Sequence, residues 1–151
     1  MTPTVSKEEL LRRTPVFDGC SQREIQRICR LAEVLPVRSG HPLVRQGQTG
    51  REFFLILEGR ARVERDGRAV ARLGPGQFFG ELSLIDGRAC NATVIADGAM
   101  EILLIGQREF SGLLDEAPAL RRKLLLGLAR RLREADAQED DTTERVTRIA
   151  G

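Results

Sequence analysis

The sequence predicts a mainly β fold with flanking helices: a small barrel or jelly roll, entered by two short helices and followed by a long C-terminal one. Three observations carry that prediction. Between about Glu33 and Ile105 short apolar segments alternate with turns built from Gly, Pro and Asp, the texture of a small all-β body. On either side of that region apolar residues recur at helical period behind Ser or Pro starts. The 151 residues include 15 Gly and 6 Pro, enough to supply the turns.

The helices come first. In "SKEELLRRT" a Ser cap precedes two carboxylates, and in "SQREIQRICRLAE" Ser21 and Glu24 have capping-box spacing. Ile25, Ile28, Cys29 and Leu31–Ala32 form the buried stripe of the second helix. The segment "EVLPVRSGHPLVRQGQTG" reads as two short strands broken by Pro36, Gly40, Pro42 and Gly47. "EFFLILEGRARVER" (52–65) reads as one strand alternating around Gly59, with Leu55, Leu57, Ala61 and Val63 on one side. Asp66-Gly67 is a tight hairpin turn returning through "RAVARL". "NATVIA", the Asp97-Gly98 turn and "AMEILLI" read as a last hairpin. After Gly106 come a short helix in "REFSGLLD" and a longer one, starting at Pro118 and running to about Asp136. Its leucines Leu120, Leu124, Leu125, Leu128 and Leu132 make a stripe, and Leu124–Leu126 widen it beyond what covering a barrel requires. A homodimer seam through Leu120, Leu124, Leu128 and Leu132 is expected. Residues 6–136 form one domain in this reading, and 137–151 a polar tail with little core.

Composition excludes several classes. Charged residues make up 30% and hydrophobic ones 41%, with a net charge of +2, so no strong polyelectrolyte partner is implied. The basic runs Arg121–Lys123 and Arg130–Arg133 read as solvated helix faces. There is no Trp or Tyr to stack on bases. No apolar run approaches a membrane span, and the N-terminus lacks a secretory core; a cytoplasmic protein is expected. Cys20, Cys29 and Cys90 read as free thiols. His41 is the only histidine and reads as a turn residue, which argues against a metal site and against a His-dependent enzyme. No metal, no catalytic residue and no enzymatic activity are expected.

The segment "FGELSLIDGRACNATV" (79–94) is the candidate site. Phe78, Phe79, Leu82, Leu84 and Ile85 are expected to anchor it to the barrel. Gly80 permits close backbone approach. "ELSLI" is a candidate for one helical turn with unpaired amides, where Glu81 is suited to accept hydrogen bonds from sugar hydroxyls. Asn91 and Thr93, beyond the Asp86-Gly87 turn, are expected to face back into the same pocket. The set suits a small ligand with an anion at one end and a hydroxyl nearby.

The helical lead-in, the short-stranded barrel, glycine punctuation at Gly47 and Gly50, "FGELSLIDG…NATV" and the terminal "LLLGLARRLREAD" helix together resemble the cyclic nucleotide-binding domain family over about residues 6–136. The resemblance implies a double-stranded β-helix (jelly-roll) barrel and a regulatory cyclic nucleotide, cAMP or cGMP, as ligand. It implies that Glu81 holds the ribose 2′-hydroxyl, and that backbone amides of Gly80, Leu82 and Ser83 hold the cyclic phosphate, with Phe79 and Ala92 beside them. An arginine two residues before the Ala92-Thr93 pair is the family pattern; this chain has Cys90 there. An Arg–phosphate contact contributes about 1.5–3 kcal/mol, so its loss costs roughly one to two decades of affinity. Near the end of the helix, Ala135 and Asp136 replace a hydroxyl residue expected against the base. Two readings follow: Arg88, on the same turn, serves as the phosphate cation with help from Asn91, or the pocket has lost its nucleotide. The functional expectations are accordingly a cyclic-nucleotide sensor signalling through its C-terminal helix, a ligand-free interaction or dimerisation module for a protein partner, or the sensory half of a transcription regulator. Direct DNA binding is not expected, because no helix-turn-helix follows "ERVTRIAG".

Overall fold

The computed structural model describes the backbone of residues 5–150 and the side chains of residues 5–137. Helix α1 (Lys7–Arg13) starts at the Ser6 cap, whose hydroxyl accepts the Glu9 amide. Helix α2 (Gln22–Leu31) starts at the reciprocal Ser21–Glu24 capping box, as its spacing predicts. A single 3-10 turn at Pro15–Phe17 joins them.

Eight strands follow: β1 (Glu33–Val37), β2 (Pro42–Val44), β3 (Glu52–Glu58), β4 (Ala61–Arg65), β5 (Arg68–Leu73), β6 (Phe78–Phe79), β7 (Thr93–Ala96) and β8 (Met100–Gly106). They form two antiparallel four-stranded sheets, in the orders β1-β8-β3-β6 and β2-β7-β4-β5. The expected jelly-roll architecture is present. Two details of its connectivity differ from expectation.

The stretch 52–65 is two strands, one in each sheet, rather than one alternating strand. The break is at Gly59, whose φ of +87° suits glycine and where a Cβ would stand 2.6 Å from the Ala99 carbonyl oxygen. Leu55 and Leu57 consequently pack toward the helices, while Ala61 and Val63 pack between the sheets. Likewise β7 and β8 do not form a hairpin: β7 pairs with β2 and β4, and β8 with β1 and β3. Three of the six changes of sheet, after β1, β3 and β7, are neighbouring corners. There the Asp97 amide donates to the Arg60 carbonyl (2.9 Å) and the Gly40 amide to the Ala96 carbonyl (2.8 Å). Periodicity records which side chains are apolar but not which sheet a strand joins; these corners decide it. The β4–β5 hairpin is as expected, with φ of +53° at Asp66 and +77° at Gly67, both positive as a two-residue hairpin turn of this hand requires.

Helices α3 (Glu81–Asp86), α4 (Gln107–Glu116) and α5 (Pro118–Ala150) complete the fold. Helix α5 continues past its expected end near Asp136, because neither Gly nor Pro occurs between Leu128 and Ala150 to stop it. The expected polar tail, 137–151, lies for its side chains beyond Ala137 outside the described residues.

There are two apolar clusters, and β3 is buried between them. Phe53, Leu55, Leu103 and Ile105 meet Leu11, Ile28, Phe110, Leu113, Leu120 and Leu124 from the helices. Phe54, Ile56, Ile102, Val94 and Phe79 fill the space between the sheets. Short β6 straddles both: Phe78 turns toward the helices and Phe79 into the barrel, where it stacks on Phe54 with ring centroids 4.9 Å apart. That placement fixes the start of the candidate site.

Candidate functional site

The site begins where β6 ends. Gly80 has φ +90°, and a Cβ there would lie 2.5 Å from the Glu52 carbonyl oxygen and 3.2 Å from the Phe54 ring. Only glycine lets the chain turn this close to β3 and enter α3. At the other end Gly87, with φ +71°, caps the helix through its amide to the Ser83 carbonyl. Between these caps Glu81 and Ser83 are buried and Leu84 packs on the helix-side core. Leu82 and Ile85, expected as anchors, are instead 48% and 57% exposed. They are three residues apart, so one helical face carries both away from the barrel.

Glu81 is 1% exposed. Its Oε1 accepts a hydrogen bond from Arg131 Nη1 of α5 at 2.8 Å, while its Oε2 is buried with no hydrogen-bond partner among the described residues. Burial pushes the carboxyl above the ordinary carboxylate range, against the lowering effect of the Arg131 guanidinium. Arg131 also donates through Nη2 to the Phe78 carbonyl, and its guanidinium carbon lies 4.5 Å from the centroid of the Phe78 ring. One turn earlier on α5, Gly127 lies so close to the Phe78 ring that a Cβ would be 2.7 Å from its Cζ. The long helix is thus seated on β6 and on the 79–94 segment, hereafter the cassette, by a glycine gap and an arginine.

Arg131 is the residue that the expectation of a solvated Arg130–Arg133 face missed. The signal for it lies in the spacing: Leu120, Leu124, Gly127 and Arg131 follow one helical stripe, so this arginine is at a core-facing position. The same stripe corrects the expected dimer seam. Leu120 and Leu124 are buried in the chain's own core, and Leu128 packs partly against it. The outward leucines are Leu125, Leu126 and Leu132, at 60%, 51% and 64% exposure.

The second half of the segment packs on the β2–β3 connection. Cys90 donates its amide to the Gln48 carbonyl (2.8 Å) and accepts at its own carbonyl from the Gly47 amide (2.9 Å). Its Sγ lies 3.4 Å from Ser83 Oγ, and a Cβ on Gly50 would be 3.3 Å from that sulfur. A cavity of about 220 Å³ opens here, lined by residues including Arg45, Gly50, Arg51, Glu52, Phe54 and Cys90. Of the expected site residues Cys90 alone is in its lining; Phe79, Gly80, Glu81, Leu82, Ser83, Arg88, Asn91, Ala92 and Thr93 are not. Arg88 is exposed, and its amide donates to Asp86 Oδ1 at 2.9 Å. Asn91 is exposed and accepts from Arg65 Nε at its carbonyl, Ala92 is buried, and the Thr93 hydroxyl accepts the Gln46 amide at 2.9 Å. The structure therefore brings Ser83 against Cys90, with Gly80 and Glu81 on the same turn as Ser83, and leaves Arg88 and Asn91 exposed.

No helix among the described residues is long and apolar enough to cross a membrane. A family model described as the cyclic nucleotide-binding domain matches residues 34–117. The chain is similar to the cyclic AMP receptor protein of Thermus thermophilus, 31% identical over 135 residues, covering 86% of this chain and 62% of the relative. It is also 33% identical over 116 residues to the cAMP-dependent protein kinase regulatory subunit of Schizosaccharomyces pombe, covering 76% of this chain and 28% of that one. Among solved structures, the catabolite activator protein of T. thermophilus superposes with a TM-score of 0.74 at 33% identity, covering 83% of this chain and 62% of that one. The regulatory domain of Toxoplasma gondii PKA, solved with cAMP, gives a TM-score of 0.70 at 25% identity, covering 83% of this chain and 49% of that one. The chain spans less than two thirds of the length of each of these relatives.

Proposed function

The chain belongs to the cyclic nucleotide-binding domain family, and on that premise we propose that it is a regulatory module: it binds a cyclic nucleotide, cAMP or cGMP, and passes occupancy to its C-terminal helix. The observation that carries this reading is Glu81, a buried carboxylate with one oxygen held by Arg131 and the other with no partner among the described residues. An unsatisfied buried acceptor costs about 1–3 kcal/mol, which a hydroxyl donor relieves. A ribose hydroxyl is such a donor, and Glu81 is the residue that the family motif assigns to it.

The same carboxylate links the site to α5. A hydroxyl arriving at Glu81 shares it with Arg131, and Arg131 is also bonded to β6 and stacked on Phe78. Ligand and helix therefore act on one group, and a ligand that favours one seat of Arg131 shifts the population of α5 positions. The relatives are named as a receptor protein and as regulatory subunits, which supports a regulatory rather than a catalytic role. We place the module in the cytoplasm, and we take Leu125 and Leu132, seven residues apart on α5, as the seam through which a second copy or a protein partner reads the helix. Being the sensory part of a longer transcription regulator is compatible with this reading.

Calorimetry with cAMP and cGMP tests it. Heat at micromolar ligand that disappears in Glu81→Ala is expected; no heat at millimolar ligand refutes it. The competing reading, a ligand-free interaction module, is favoured by Cys90 at the position where the family pattern has arginine. It predicts that the isolated chain takes up no cyclic nucleotide but still associates through the exposed leucines of α5.

A further inference from the structure

The cavity of about 220 Å³ beside Cys90 has a cation at each end of the connection that walls it, Arg45 and Arg51. Neither takes part in the ion pairs found among the described residues. Their positions are nevertheless set, because the backbone between them is tied to the cassette. The Gly47 amide donates to the Cys90 carbonyl, the Cys90 amide to the Gln48 carbonyl and the Gln46 amide to the Thr93 hydroxyl, at 2.9, 2.8 and 2.9 Å. Thr49 also forms an isolated β-bridge with Ala89. Glu52, on the same wall, is the one carboxylate among the lining residues, so two cations face one anion.

Four of the cavity's wall residues lie against the cassette turn, although Gly80, Glu81 and Ser83 do not themselves line the cavity. Gly50 and Cys90 abut Ser83, while Glu52 and Phe54 abut Gly80. Its volume is below the roughly 300–1,000 Å³ of pockets that enclose a whole drug-sized ligand, so it is sized for one end of such a molecule.

We propose that Arg45 and Arg51 supply the positive charge for the ligand's phosphate that Cys90 does not, so that in this chain the cation comes from the β2–β3 connection and not from the cassette. The assignment rests on the cyclic-nucleotide reading above. It differs from the expectation that Arg88 substitutes: all three arginines are exposed, but Arg45 and Arg51 line the cavity and Arg88 does not. A guanidinium offers a planar fork of donors to phosphate oxygens, and its long stem allows it to reach in from a neighbouring loop. Cys90, with a short neutral side chain against Ser83 and Gly50, then leaves room for that approach.

The test is calorimetry on the full chain with cAMP and cGMP, and with adenosine and guanosine as counterparts without the phosphate. The double variant Arg45→Gln/Arg51→Gln is expected to bind the cyclic nucleotide about tenfold to a hundredfold more weakly. It should bind the nucleoside as the wild type does and melt at the same temperature without ligand. Its affinity should also depend less on salt, and adding Cys90→Arg should recover most of the loss. Arg88→Gln should bind as the wild type. A double variant that binds the cyclic nucleotide normally, or loses nucleoside binding equally, overturns the assignment while leaving the cyclic-nucleotide reading intact. So does an Arg88→Gln variant that carries the loss. A wild-type chain that gives no heat with either cyclic nucleotide overturns both.

Discussion

Removing Arg131 should destabilise the fold in a manner that depends on pH. In Arg131→Ala the Glu81 carboxylate keeps its burial, at 1% exposure, and loses the guanidinium 2.8 Å away. Its remaining oxygen is already without a partner. Deleting one member of a fully buried pair costs about 3–5 kcal/mol. The Arg131 side chain is 37% exposed, so water replaces part of the contact and the expected loss falls to roughly 1–3 kcal/mol near neutral pH. For a domain of this size that is a fall in Tm of about 2–12 °C.

The pH dependence follows from the raised position of Glu81. A carboxyl whose folded-state pKa lies above its unfolded value contributes stability that is complete below the unfolded value and is lost as pH rises through the folded one. Burial sets that direction in the wild type, and Arg131 opposes it. Without Arg131 the folded-state pKa moves further up, so more stability is lost on going from about pH 5 to about pH 8. Thermal melts of both proteins across that range measure the difference. Adding Glu81→Gln to Arg131→Ala removes the buried charge and should restore most of the loss at pH 8. A deficit that is the same at every pH, or that Glu81→Gln leaves untouched, would show that Arg131 acts only through Phe78.

Three further outcomes are expected. Gly80→Ala places a Cβ 2.5 Å from the Glu52 carbonyl at a φ of +90°; unfolding in urea should show a loss of about 2 kcal/mol or more, and an unchanged midpoint would mean that the turn relaxes freely. Leu125→Glu/Leu132→Glu alters residues that are 60% and 64% exposed, so sedimentation should show a shift from dimer toward monomer; a wild-type chain that is monomeric at every concentration rules out the seam. Burial raises the Cys20 thiol from 9.0 to about 11, with Glu24 adding to the shift, so its thiolate fraction at pH 8 is about a hundredfold smaller than in the unfolded chain. Alkylation of Cys20 at pH 8 should accordingly be slow until urea is added, and equal rates in both states would contradict the burial.

The parts of the site legible in the sequence are those whose chemistry is local. The Ser21–Glu24 box, the Asp66-Gly67 turn and the Gly80-Glu81 entry into a short helix each follow from residues within a few positions of one another. Long-range partners were not legible in the same way. The expected Glu52–Arg65 strand and the expected β7–β8 hairpin have the right apolar residues, yet each spans a corner where the chain passes between sheets. The outward turn of Leu82 and Ile85 depends on the side from which α3 meets the barrel.

By itself the sequence determined the succession of lead-in helices, short strands and closing helices, the caps, the hairpin turn and the Gly80-Glu81 entry into a short helix, because hydrophobic period, capping and glycine conformation are short-range properties of the chain. Only the tertiary structure decided that Arg131 meets Glu81 across 50 residues, that Leu120 and Leu124 face inward while Leu125 and Leu132 face out, and that Arg45 and Arg51 line the same cavity as Cys90. The physical reason is common to all three. A charge or a leucine acquires its role from what packs against it, and packing between distant segments is fixed by how the sheets close and where the long helix comes to rest.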